Sequence, residues 1–174
     1  MANLTSHTFS DIPNEQWQKW QATVPRRYTQ LGDRLVELLT ADYLCHTEIG
    51  TGAIEVLHRQ TIVDEQQLDE YRTATPKETK SHTILDIPTP LWTDWKGTVA
   101  KGYRRLGDRL IDLMCADLAC HEIHLMGMTE IFNHEGTIPI DEIRQTIADA
   151  QQIASETDSE EKTNNDGSDT TIEE

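Results

Sequence analysis

Apolar side chains fall along this chain at helical spacing in two matched series. Trp17, Trp20 and Val24 are three and four residues apart, as are Trp92, Trp95 and Val99. Those intervals set each trio on one face of a helix, where aromatics serve as core. A second apolar series follows each trio: Leu31, Leu35, Leu38 and Leu39, then Leu106, Leu110, Leu113 and Met114. This is the stripe of an amphipathic helix. Ahead of each helix pair lies an extended segment, residues 7–12 and 82–87, ending in Asp-Ile-Pro. Thr83, Ile84, Leu85 and Ile87 favour strand, and Pro88 drives its predecessor out of the helical region. Pro13 and Pro88 suit the first turn of the helix that comes next, where a missing N–H costs nothing. The first helices should stop near Pro25 and Gly102. The second should break around residues 50–52 before resuming toward His58, and in the later series should reach Phe132. Short closing helices are expected at residues 64–71 and 140–153.

The two series belong to one repeated phrase. Residues 11–46 align with 86–121 at a constant offset of 75 without a gap, and 18 of the 36 positions are identical. A match of that length implies two copies of one structural unit. The organisation expected is a first repeat unit at residues 1–71, a linker at 72–81 containing Pro76, and a second unit at 82–154. From residue 155 to 174 only Ile172 is sizeable and apolar, so this acidic tail is expected to be disordered. The fold class is then mainly α, with tandem strand-helix-turn-helix units and additional C-terminal helices.

Composition narrows the setting. Thirty-one acidic residues against 15 basic ones give a formal charge of −16. High carboxylate content with abundant threonine and scarce lysine fits a halophilic, haloarchaeal proteome; an ordinary acidic cytosolic protein is the alternative. No apolar run approaches the roughly 20 residues that span a bilayer, and the N-terminus lacks a signal-peptide pattern. Cys45, Cys115 and Cys120 are odd in number, which suits a reduced, cytoplasmic protein without structural disulfides.

Strand, helix, turn, helix within about 40 residues is the order of a ribbon-helix-helix unit. The phrase Ile-Pro-x-x-x-Trp-x-x-Trp, Thr-Val-Pro, Leu-x-x-Arg-Leu-x-x-Leu resembles small haloarchaeal or archaeal-virus DNA-binding proteins of that class, here as a tandem duplication. The resemblance implies a transcription regulator whose two strands pair antiparallel and enter the major groove of double-stranded DNA, with the second helix beginning at a phosphate. Seven of the 15 basic residues lie in the helix-turn-helix corners: Arg26, Arg27, Arg34, Lys101, Arg104, Arg105 and Arg109. They are the candidate phosphate contacts, which give affinity and register rather than sequence preference. Pairing of Arg34 and Arg109 with nearby carboxylates, such as Asp112, is the competing account. Counting back from each proline, His7, Phe9 and Asp11, and His82, Ile84 and Asp86, would face outward. His7, Phe9, His82 and Ile84 are the candidate base readers, whereas an aspartate beside phosphate fits a helix N-terminus better. The glycine in each Leu-Gly-Asp-Arg-Leu implies close backbone approach, to a partner element or to a phosphate.

Two other functions are open. The repeat can be a protein-pairing or assembly module without DNA binding, with a homo-oligomer as partner. Alternatively Asp117, Cys120, His121 and His124, on successive turns of one helix, can offer i,i+4 ligand pairs to a metal, although no zinc spacing such as Cys-x-x-Cys occurs. No Gly-x-Ser-x-Gly, phosphate-cradling glycine loop or Cys-His-Asn set is present, so no enzyme and no cofactor are expected.

Overall fold

The computed structural model describes residues 4–24, 28, 30–72, 78–99 and 106–169, with side chains described as far as residue 155. It is mainly helical, with one two-stranded antiparallel sheet. The elements are β1 (Leu4–Pro13), α1 (Asn14–Thr23), α2 (Leu31–Ile49), α3 (Ala53–Arg59), α4 (Glu65–Asp69), β2 (Thr79–Pro88), α5 (Thr89–Thr98), α6 (Leu106–His124), α7 (Met128–His134) and α8 (Ile140–Asp169). From β1 to α3, every element has a counterpart of equal length 75 residues later.

The strands pair with each other across the two halves. Thr8 faces Thr83 at the centre, their hydroxyls 2.7 Å apart, and the register runs outward to Leu4 opposite Pro88 and Pro13 opposite Thr79. Each strand carries an irregularity near its end, where Asp11 and Asp86 hold φ of 60° and 59°. Aspartate is among the few L-residues that tolerate this left-handed conformation, so it suits a bulge. Pro13 and Pro88 cap the helices that follow rather than entering their first turns. Thr23 and Thr98 close those helices by donating to the Trp20 and Trp95 carbonyls at 2.7 Å. At the end of α2, Gly50 adopts φ 96° and its N–H returns to the Cys45 and His46 carbonyls, the expected break.

Packing crosses between halves throughout. Helix α1 lies against α6, α5 against α2, and α2 against α6, while each strand also rests on the second helix of the other half. His7 of β1 packs at a tilt against Trp92 of α5, ring centroids 4.8 Å apart, and His82 of β2 packs likewise against Trp17 of α1 at 4.7 Å. Gly32 lets α2 approach Ile84 of β2; at Gly107 an added Cβ would come within 2.9 Å of Phe9 on β1. The repeated glycine thus serves approach to a strand. One apolar cluster contains Trp17, Trp20, Trp92 and Trp95 together with Leu35, Leu39, Leu110 and Met114.

Several boundaries differ from the sequence reading, and α6 ends at His124 rather than reaching Phe132, which lies on α7. β2 begins at Thr79, inside the expected linker, because strand pairing recruits the residues ahead of His82. Arg72, also expected in the linker, is docked on α6 through Asp112 at 3.2 Å. Helix α8 continues to Asp169, into the segment whose composition predicts no order. Its docked portion, with Ile143, Ala150 and Ala154 buried, supplies the nucleus, after which each further turn is cheap. Among the described residues, no helix is long and apolar enough to cross a membrane.

Candidate nucleic-acid interface

The solvent face of the ribbon is set by strand alternation. Phe9 and Ile84 are buried at 2% and 0% exposure, and His7 and His82 lean inward onto tryptophan rings. Leu4, Ser6, Thr8 and Ser10 of β1 face solvent, as do Thr79, Ser81, Thr83 and Leu85 of β2. The expectation that His7, Phe9, His82 and Ile84 read bases is therefore corrected. Counting back from the proline runs through the bulge at Asp11 or Asp86, and one extra residue reverses which side chains face out. Burial lowers the His7 pKa, and burial followed by Lys80 lowers that of His82, so both rings are neutral at pH 7.

Arg34 and Arg109 are also corrected as phosphate contacts. They are 2% and 4% exposed, and each forms a buried network with the opposite half. Arg34 donates through Nη2 to Asp117 at 2.6 Å and to Glu130 at 3.0 Å, and through Nε to Asp117 at 3.1 Å. Trp20 Nε1 donates to the same Asp117 at 2.9 Å. The second network repeats the arrangement: Arg109 reaches Asp42 at 2.6 Å and Glu55 at 3.2 Å, and Trp95 donates to Asp42 at 3.0 Å. Burial opposes the Arg34 charge, but Asp117 and then Glu130 more than offset it, so the guanidinium stays protonated above its ordinary range. The competing account, carboxylate pairing, is the one observed; the partner of Arg109 is Asp42 across the core rather than Asp112 one turn away.

These networks were absent from the sequence reading, although their components recur at the repeat offset: Trp20 and Trp95, Arg34 and Arg109, Asp42 and Asp117, Glu55 and Glu130. Gly52 and Gly127 recur too, for a local reason. A Cβ at either would sit 2.4 or 2.3 Å from an arginine Nη2.

The candidate metal ligands do not converge. Both Asp117 oxygens are used, one also accepting the Met128 amide at 2.8 Å. Cys120 is fully buried, and burial, then Asp117, pushes its thiol pKa well above the usual range. His124 donates to the Ile62 carbonyl at 2.6 Å. Among the described residues, no three His, Cys, Asp or Glu side chains are grouped to hold a metal ion.

The remaining corner cations, Arg26, Arg27, Lys101, Arg104 and Arg105, lie outside the described residues. They flank the N-termini of α2 and α6 in sequence, and those helices start where Gly32 and Gly107 meet the ribbon. No family model matches the chain, and neither a curated protein nor a solved structure matches it.

Proposed function

We propose that the chain is a DNA-binding transcriptional regulator of the ribbon-helix-helix type, in which a tandem duplication supplies both strands of the ribbon from one polypeptide. The observation that carries this reading is the antiparallel pairing of β1 with β2 about Thr8 and Thr83, with the hydroxyls of Ser6, Thr8, Ser81 and Thr83 outward along its middle. Such hydroxyls can donate to or accept from any base edge, and a two-stranded ribbon fits the major groove. Ser6, Thr8, Ser81 and Thr83 are the readers on this account. Arg26, Arg27, Lys101, Arg104 and Arg105 supply the phosphate contacts; Arg34 and Arg109 do not, because their donors hold the core together.

The test is duplex binding by fluorescence anisotropy across a salt series. Five phosphate contacts give a slope of log K against log salt of about −4 to −5, each contact contributing about 0.9. Replacing all five cations by alanine should flatten the slope and remove measurable binding. Undiminished binding by that variant would sink the corner assignment.

A second reading, a pairing module without DNA binding, draws on Asp11 and Asp86. These exposed carboxylates edge the ribbon face at both ends, where they would repel phosphate. That module would show no duplex binding at any salt and a defined oligomer by light scattering.

A further inference from the structure

The two ends of the ribbon are chemically different. At its centre the outward pairs match across the repeat: Ser6 with Ser81, and Thr8 with Thr83. At its ends they do not, because Leu4 corresponds to Thr79 and Leu85 to Ser10. Antiparallel pairing then sorts the differences by place. Leu4 lies opposite Pro88, which puts it at the end that also carries Leu85; Thr79 lies opposite Pro13, at the end that carries Ser10. Each end carries one exposed aspartate, Asp86 or Asp11; beside it one end presents two leucines and the other two hydroxyls. Leu4 and Leu85 are 40% and 53% exposed, among the few large apolar side chains left in solvent within the described residues. The surroundings differ too: Leu85 borders a groove that Val36, Pro88 and Ile147 share with the carboxylates Asp33, Glu37 and Asp86, and Ile147 belongs to α8, a far longer helix than α4.

From this polarity we infer that the chain recognises an asymmetric DNA site, with a thymine methyl facing Leu4 and Leu85 in one half and no such requirement in the half facing Ser10 and Thr79. The inference rests on the DNA-binding reading and adds a direction to it. Two separate but identical chains present identical ribbon ends and favour a palindrome. A single chain carrying both strands is free of that constraint, and this one departs from symmetry at both end positions. The chemistry of the departure selects the base: among the four bases only thymine offers a methyl to an apolar side chain in the major groove. The hydroxyl end can bond to several base edges and discriminates less.

The experiment is selection of bound duplexes from a random pool, run on the full chain and on the variant Leu4→Thr with Leu85→Ser. That variant gives the first end the residues of the second. Both positions are exposed, so folding should be retained, with an unchanged melting temperature as the check. The native chain should enrich a site with thymine in one half only; the variant should enrich a palindrome lacking it. In the selected site, thymine-to-uracil substitution removes one methyl. It should weaken native binding about threefold to fivefold in that half, the effect of withdrawing one buried apolar group. It should leave the variant unaffected. A palindromic site for the native chain, or the same asymmetric site for the variant, overturns the inference while leaving DNA binding intact. Retention of duplex without enrichment of any sequence also overturns the inference, whereas failure to retain any duplex overturns the DNA reading, and this inference with it.

Discussion

Replacing Asp117 by alanine removes the centre of one inter-half network, and its cost follows from the partners that the carboxylate holds. It accepts from Arg34 Nε and Nη2, from Trp20 Nε1 and from the Met128 amide, at 3.1, 2.6, 2.9 and 2.8 Å. Truncation leaves a guanidinium that is 2% exposed with Glu130 as its nearer remaining carboxylate, and strands two further donors. Breaking a buried charge pair on one side costs about 3–5 kcal/mol, and stranded buried donors add to the same loss. That is a large share of the roughly 5–15 kcal/mol typical of a folded protein. With a urea slope of about 2 kcal/mol per molar, the midpoint should fall by roughly 2 M. Asp42→Ala should cost more, because the carboxylate left to Arg109 is Glu55, 48% exposed against 26% for Glu130, and hence better screened. Adding Arg34→Met to Asp117→Ala should recover part of the loss, since it removes the orphaned charge. Equilibrium urea unfolding followed by tryptophan fluorescence measures all three. A loss below about 1 kcal/mol for Asp117→Ala would refute the reasoning that these pairs bind the halves together.

Other consequences follow from the same geometry. Glu130, with Thr129, ties Arg34 to α7; burial works against the Glu130 charge, but Arg34 and its hydrogen bonds hold its pKa below the ordinary value. A depressed folded pKa contributes stability above the unfolded value of about 4.5, lost as pH falls through the folded pKa; Glu130→Gln should therefore flatten the acid limb of a stability-against-pH curve. Burial, with nearby carboxylates, pushes Cys45 and Cys115 up to about 12, so both thiols should resist iodoacetamide at pH 8 in the native state and label rapidly in denaturant. Gly107→Ala should destabilise by about 1–3 kcal/mol, the range for overpacking, through its clash with Phe9, whereas Gly32→Ala, whose nearest contact to Ile84 is 3.4 Å, should cost less; thermal melts separate the two.

Much of the helical layout was legible, because Trp and Leu spacing at three and four reports a helix face directly. The break at Gly50 was legible for the same reason, glycine being the residue that adopts the capping conformation. The facing of the strands was not. Period-two alternation has no memory of a bulge, and Asp11 gives no sign in the sequence that its backbone turns left-handed. The roles of Arg34 and Arg109 were hidden differently. A repeated arginine beside a basic corner reads as surface, and only tertiary packing brings Asp117 and Asp42 across the core to meet them. Recurrence of Asp, Glu and Gly at the same offset was the available clue. Among the four residues offered as metal ligands, adjacency along α6 misled because Asp117 was already committed to the other half.

On the proposed DNA-binding function, a chain that carries both strands of the ribbon should engage one DNA site alone. Sedimentation equilibrium of a labelled duplex bearing one selected site, titrated with protein, counts the chains directly. Saturation at one chain per duplex is the expected result. Saturation at two chains per site, or a duplex whose mass never rises, would contradict it.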